Sequence, residues 1–103
     1  MKNKNIYKRA VEMWGVDAQS DVMMEECAEL IFAILKMKRS GTSQQITDRY
    51  NNVCEEIADV RLMLNQMEYI YDKNMIDDYY KEKKDGVIKK LENYEKDKNN
   101  KSD

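Results

Sequence analysis

Apolar residues recur along this chain at intervals of three and four, the period of an α-helix, with polar residues filling the positions between them. The first such run covers Ile6 to Trp14 and stops at Gly15, a residue free to take the left-handed conformation that ends helices. A second run, with Asp17 as its expected N-cap, reaches about Arg39 and sets Met24, Cys27, Ala28, Ile31, Ile34 and Leu35 along one face. The segment "SGTSQQIT" (Ser40 to Thr47) reads as a loop in which Thr42, Ser43 or Thr47 can cap the next helix. That third helix, from about Ile46 to Tyr71, carries Ile46, Tyr50, Val53, Ile57, Val60, Leu64, Met67 and Tyr71 on one stripe. "DKN" (Asp72 to Asn74) interrupts the pattern before a fourth helix from about Met75 to Tyr94. The polar, repetitive "EKDKNNKSD" is expected to be a disordered tail, which leaves one helical domain over 1–95 and a tail over 96–103.

Composition agrees with helices and narrows the rest. A chain of 103 residues can bury one modest core, and 37% charged residues with no proline and three glycines suit long helices joined by brief turns. The expected fold is therefore all-α, an antiparallel helical bundle. Two long amphipathic helices in so short a chain expose more apolar surface than one partner layer covers, which favours completion of the bundle by self-association. Met24, Met63, Met67 and Tyr71 fit core or interface stripes of that kind.

The formal net charge is −2, so neither a nucleic-acid polymer nor a membrane is called for as a partner. No apolar run approaches the length of a membrane span, and "MKNKNIYKRA" lacks the apolar centre of a signal peptide, so a cytoplasmic protein is expected. In that compartment Cys27 and Cys54 are expected to be reduced, small buried residues. With no histidine and no CxxC, the chain has no set of zinc ligands.

Candidate chemistry lies in two acidic groups. "MMEECAELIF" holds Glu25, Glu26 and Glu29, and "VCEEIADVRLML" holds Glu55, Glu56 and Asp59. Like charges four apart on a helix destabilise it by roughly 0.2–0.5 kcal/mol per pair unless a positive group lies between them. In the second helix the acidic face lies opposite an oily one, an arrangement that an ordinary surface helix also shows. The third helix is more telling, because the sector that holds Glu55, Glu56 and Asp59 goes on to hold Leu62, Met63, Gln66 and Ile70. Its carboxylates are thus expected to be partly buried, and buried carboxylates need protons, partners or metal. Basic residues close in sequence are few: Lys36 and Lys38 after the first group and Arg61 after the second. A hard divalent cation, magnesium or manganese rather than calcium, would satisfy several carboxylate oxygens at once, since no EF-hand loop is present. Di-iron bundles also gather carboxylates from facing helices, but they require ExxH pairs that a chain without histidine cannot supply.

These two segments, "WGVDAQSDVMMEECAELIFAILKMKR" and "EEIADVRLMLNQMEYIYD", resemble the MazG-like branch of the all-α nucleoside triphosphate pyrophosphohydrolases. The signature of that family is EExxE, a variable spacer and ExxD; here Glu25-Glu26-x-x-Glu29 and Glu56-x-x-Asp59 stand in those places, with a spacer at the long end of the family's range. The resemblance extends over roughly Ala10 to Glu95.

The resemblance implies the MazG-like fold, an obligate homodimer or homotetramer, and hydrolysis of a (deoxy)nucleoside triphosphate to the monophosphate and pyrophosphate, clearing excess or non-canonical nucleotides. It implies Mg²⁺, with Mn²⁺ as a substitute, held by Glu26, Glu29, Glu56 and Asp59. Glu25 and Glu55 would lie just outside the metal or, for one of them, serve as an alternative ligand, and Glu25 or Glu29 would take the proton from the attacking water. Gln19, on the same helical sector as Glu26, can hydrogen-bond a base or sugar edge. Trp14 can stack on the base or simply anchor a core. Family members often carry arginine in the last helix, where this chain has only lysines; Lys84 and Lys90 are the nearest phosphate-binding candidates and lack arginine's bidentate fork. The same scaffold can also serve as a non-catalytic dimerisation or metal-binding module.

Overall fold

The computed structural model describes residues 5–101, and every regular element among them is a helix. The helices are α1 (Ile6–Trp14), α2 (Val16–Lys38), α3 (Ser43–Met67) and α4 (Lys73–Lys101). Packing divides the chain into two compact units, Met1–Tyr71 and Asp72–Asp103. The first is an antiparallel α2–α3 hairpin with α1 packed on both of its helices; the second is α4.

Local chemistry explains each boundary. Asn5, at φ 58° and ψ 58°, caps α1 by accepting the Lys8 amide on Oδ1 at 3.1 Å. Gly15 then turns the chain at φ 92° and ψ 158°, a region open only to glycine, and α2 starts at the next residue. Asp17, the expected cap, falls instead in the first turn of α2, where a carboxylate favours the positive end of the helix dipole.

The hairpin turn is shorter than the sequence suggests. Thr42 accepts the Gln45 amide at 3.1 Å while the Gln45 side chain accepts the Thr42 amide at 3.3 Å. This capping box draws Ser43 to Ile46 into α3. At the other side of the turn the Lys36 carbonyl accepts from the Arg39 amide, the Ser40 hydroxyl at 3.2 Å and Arg49 Nη1 at 2.9 Å, so the open end of α2 is satisfied. The α3 helix ends at Met67 rather than Tyr71, because Tyr69 and Ile70 bond three residues back to Gln66 and Met67 and tighten the chain into a turn. Asp72 caps the next helix through Met75 N at 3.1 Å, so "DKN" opens α4 instead of separating it. Without glycine or proline after Tyr94, α4 continues to Lys101 across most of the expected tail; Ser102 and Asp103 lie outside the described residues.

The helix faces that meet differ from those the apolar stripes suggest. Among the covered positions one regular series on α2 is Gln19, Met23, Glu26, Leu30, Ala33 and Met37, and one on α3 is Arg49, Asn52, Glu56, Asp59, Met63 and Gln66; Ser20, Val22, Cys27 and Lys36 of α2 and Val53, Val60, Asn65 and Met67 of α3 are half-buried beside them. Both sets alternate steps of three and four, the seam spacing of a coiled coil. Met24, Ala28, Ile31, Ile34 and Leu35 of α2 are exposed, as are Ile46, Tyr50, Ile57 and Leu64 of α3 and Tyr71 beyond it. Of the expected stripes only Cys27, Val53, Val60 and Met67 are even half-buried, and Cys54 is exposed with both thiols free. Ala33 and Met63 are the only buried apolar side chains among the described residues. The helices therefore join along a seam that is half polar, leaving their oilier sides outward.

Candidate metal centre

The register of the hairpin follows from three pairs. Glu26 meets Asp59, Glu29 meets Glu56, and the Lys36 carbonyl meets Arg49. Moving three or seven residues forward on α2 moves the partner three or seven back on α3, as antiparallel helices at matched rise require. Both acidic motifs thereby reach the same level of the seam. The i,i+3 spacing within each motif sets its two carboxylates on one face.

Glu26, Glu29 and Glu56 each present a carboxylate oxygen within 4.8 Å of the others. Asp59 is outside that mutual group but lies close enough to Glu26 for its charge to act on it. Three of the four expected ligands are thus brought together, and the fourth adjoins them.

The environment of these groups disfavours their charge. Glu56 is only 8% exposed and Glu26 is half-buried, and each has one oxygen, Oε2, shielded from solvent and without a hydrogen-bond partner. Burial raises the pKa of Glu56 above 4.5, followed by repulsion from Glu29, Asp59 and Glu26. Burial likewise raises Glu26, followed by repulsion from Glu29 and Asp59. Among the described residues no lysine or arginine forms an ion pair with any of the four carboxylates. Oxygens on an octahedral Mg²⁺ lie about 3 Å apart when adjacent and about 4 Å apart when opposite, so closing the observed group onto one ion requires its oxygens to draw together by about 1–2 Å, within reach of side-chain rotation. All-oxygen donors, orphaned buried oxygens and missing counter-charge together fit a hard divalent cation.

The remaining predicted residues are placed as follows. Glu25 and Glu55 are exposed on the flanks of their helices. Gln19 shares the face of Glu26, as its wheel position requires, but that face is turned into the seam, where Gln19 is 6% exposed and the hairpin register sets it opposite the equally covered Gln66. Trp14, at the end of α1, is exposed and lines a groove of about 410 Å³ with Ile6, Arg9 and Met13. Lys84 and Lys90 are exposed on α4, in the second unit.

Sequence reasoning missed the groove beside the carboxylates. Ala28, Glu29, Phe32 and Lys36 of α2 and Asn52 and Glu56 of α3 line an open groove of about 360 Å³. The signal was present as spacing: Phe32 and Lys36 follow Glu29 by three and seven, and Asn52 precedes Glu56 by four. No protein-family model matches the chain, and comparison with curated proteins and with solved structures gave no match.

Proposed function

We propose that this protein is a Mg²⁺-dependent nucleoside triphosphate pyrophosphohydrolase of the MazG-like type, converting a (d)NTP and water to the (d)NMP and pyrophosphate. The observation that carries the reading is the convergence of Glu26, Glu29 and Glu56 from EExxE and ExxD, with buried oxygens that no protein group satisfies. Glu26, Glu29 and Glu56 would hold the ion, with Asp59, beside Glu26, as the fourth ligand. When bound, divalent metal polarises the α-phosphoryl group and stabilises the departing pyrophosphate.

The residues of the chain do the rest. Burial of Glu56 and Glu26 keeps competing water from their oxygens, and the rigid seam fixes the spacing of the ligands. Glu29 is exposed at the mouth of the groove, so an oxygen left free of metal can accept a proton from water; Glu25, one turn earlier on the exposed flank, is the other candidate. Exposed apolar residues on both long helices of the hairpin support a homodimer or homotetramer as the working form.

The test is pyrophosphate release from a panel of canonical and modified NTPs and dNTPs, with Mg²⁺ and with EDTA, in wild type and Glu56→Gln. Metal-dependent release with equal monophosphate is expected, and Glu56→Gln should lower it at least about a hundredfold with helicity retained. A folded wild-type protein that releases no pyrophosphate from any nucleotide would overturn the enzymatic reading and leave a metal-binding or dimerisation module.

A further inference from the structure

The groove next to the carboxylates is polarised from end to end. Glu29 and Glu56 form one end, and Lys36 and Asn52 lie toward the other. Glu29 and Lys36 are seven residues apart on α2, about 10 Å along the helix axis on nearly the same face. Long side chains on a helix lean toward its N-terminus, and Lys36 does so: its Nζ lies over the Phe32 ring, 5.2 Å from the centroid. The ammonium is therefore drawn back one turn toward the acidic end. It has no carboxylate partner among the described residues and is held on a ring face beside a cluster of acids. The backbone beneath it is fixed, because the Lys36 carbonyl is bonded by Arg49 and Ser40.

Charge and length then select the ligand. A divalent ion at the four carboxylates offsets only half of their charge, and an anion bound to that metal brings negative charge of its own that the acids cannot meet. An anion with a single charged group reaches one end of the groove only. A polyphosphate is a row of anionic groups, able to bind metal at one end and an ammonium at the other. We infer that the Ala28–Phe32–Lys36–Asn52 groove is the seat of the polyphosphate part of a metal-bound ligand, with Lys36 Nζ as its phosphate contact and the Asn52 amide as a second donor. This rests on the metal centre proposed above and adds the side of the carboxylates on which the phosphates lie. The phosphate-binding cation is thereby placed on α2, in the same unit as the metal ligands.

Binding of inorganic tripolyphosphate and of orthophosphate, each with and without Mg²⁺, measured by titration calorimetry tests this, with Mn²⁺ binding alone read by electron paramagnetic resonance. In Lys36→Met, Mg²⁺-dependent tripolyphosphate affinity should fall at least about tenfold, the scale of one charge-assisted contact, while Mn²⁺ binding and helicity stay unchanged. Lys36→Arg should retain most of the affinity, and Lys38→Met, which lies in a different groove with Ile34 and Tyr50, should match wild type. Orthophosphate should bind more weakly and respond little to Lys36→Met. Equal tripolyphosphate affinity in wild type and Lys36→Met, with Mn²⁺ bound by both, overturns this inference and leaves the metal centre standing. Equal losses in Lys36→Met and Lys38→Met reduce the effect to net charge and overturn it too. A wild-type protein that binds no Mn²⁺ removes the metal centre itself, and the inference with it.

Discussion

At the scale of single residues, the site is a place where folding and function pull in opposite directions. Glu26 and Glu56 have raised pKa values, so the folded chain holds their protons more tightly than the unfolded chain does. Between 4.5, the ordinary value, and the raised folded values, the native state keeps protons that the unfolded state releases, and stability falls as pH rises through that window. In EDTA the protein should therefore melt at a higher temperature near pH 5 than near pH 7.5, with the difference reduced in Glu56→Gln. Adding Mg²⁺ at the higher pH should restore the melting temperature, because only the deprotonated carboxylates bind metal. Circular dichroism melts across pH, with and without metal, read this directly; a metal-free melting temperature that climbs toward neutral pH would contradict the crowded-carboxylate picture. This much was legible in the sequence for Glu56 and Asp59, because the apolar residues following them on the same sector signalled cover. Glu55, assigned to the same sector, is exposed, since a sector about 100° wide is broader than the covered seam.

At the scale of elements, helix existence was readable throughout and helix ends were decided by a few side chains. Gly15 is the clearest case. Its φ of 92° with ψ of 158° is reached at no steric cost by glycine, and a Cβ there would meet nothing within 4 Å. Gly15→Ala should thus destabilise the first unit through backbone strain alone, by about 1–3 kcal/mol, without altering contacts around it. A thermal melt checks this, with loss of the α1–α2 corner as its structural correlate. The α3 start was misplaced because Thr42, Ser43 and Thr47 are equal as caps until Gln45 is seen to complete a box with Thr42; Thr47 instead bonds back to the Ser43 carbonyl at 3.1 Å inside the helix. The larger miss concerns faces. A stripe search follows the oiliest positions, whereas the helices meet along the positions that carry Gln19, Glu26, Glu56, Asp59 and Gln66 among apolar neighbours. No one-dimensional pattern favours a seam of that kind, and only the coincidence of the two acidic motifs hinted at it.

At the scale of the whole molecule, the exposed stripes become the leading fact. Ala33 and Met63 are the only buried apolar residues among the described residues, while Ile31 at 62%, Leu35 at 47%, Tyr50 at 60% and Ile57 at 43% face outward from the hairpin. A chain of this size needs far more apolar burial than that to offset its conformational entropy. The α4 unit shows the same pattern by itself, with Val87, Leu91 and Tyr94 exposed along its length. Ile34, Met37, Tyr50, Val53, Cys54 and Ile57, with Lys38 at one side, form a second groove, of about 350 Å³, whose lining is separate from that of the acidic groove. If that apolar side is where copies of the chain meet, a charge there should dissociate them without touching the metal ligands. Ile57→Lys is accordingly expected to shift the protein from an oligomer toward monomer in sedimentation velocity and to lower its melting temperature. Oligomer and monomer should bind Mn²⁺ alike wherever the monomer stays helical, because Glu26, Glu29, Glu56 and Asp59 all come from one hairpin. A wild-type protein that sediments as a stable monomer would remove the interface and leave the outward apolar faces without a role.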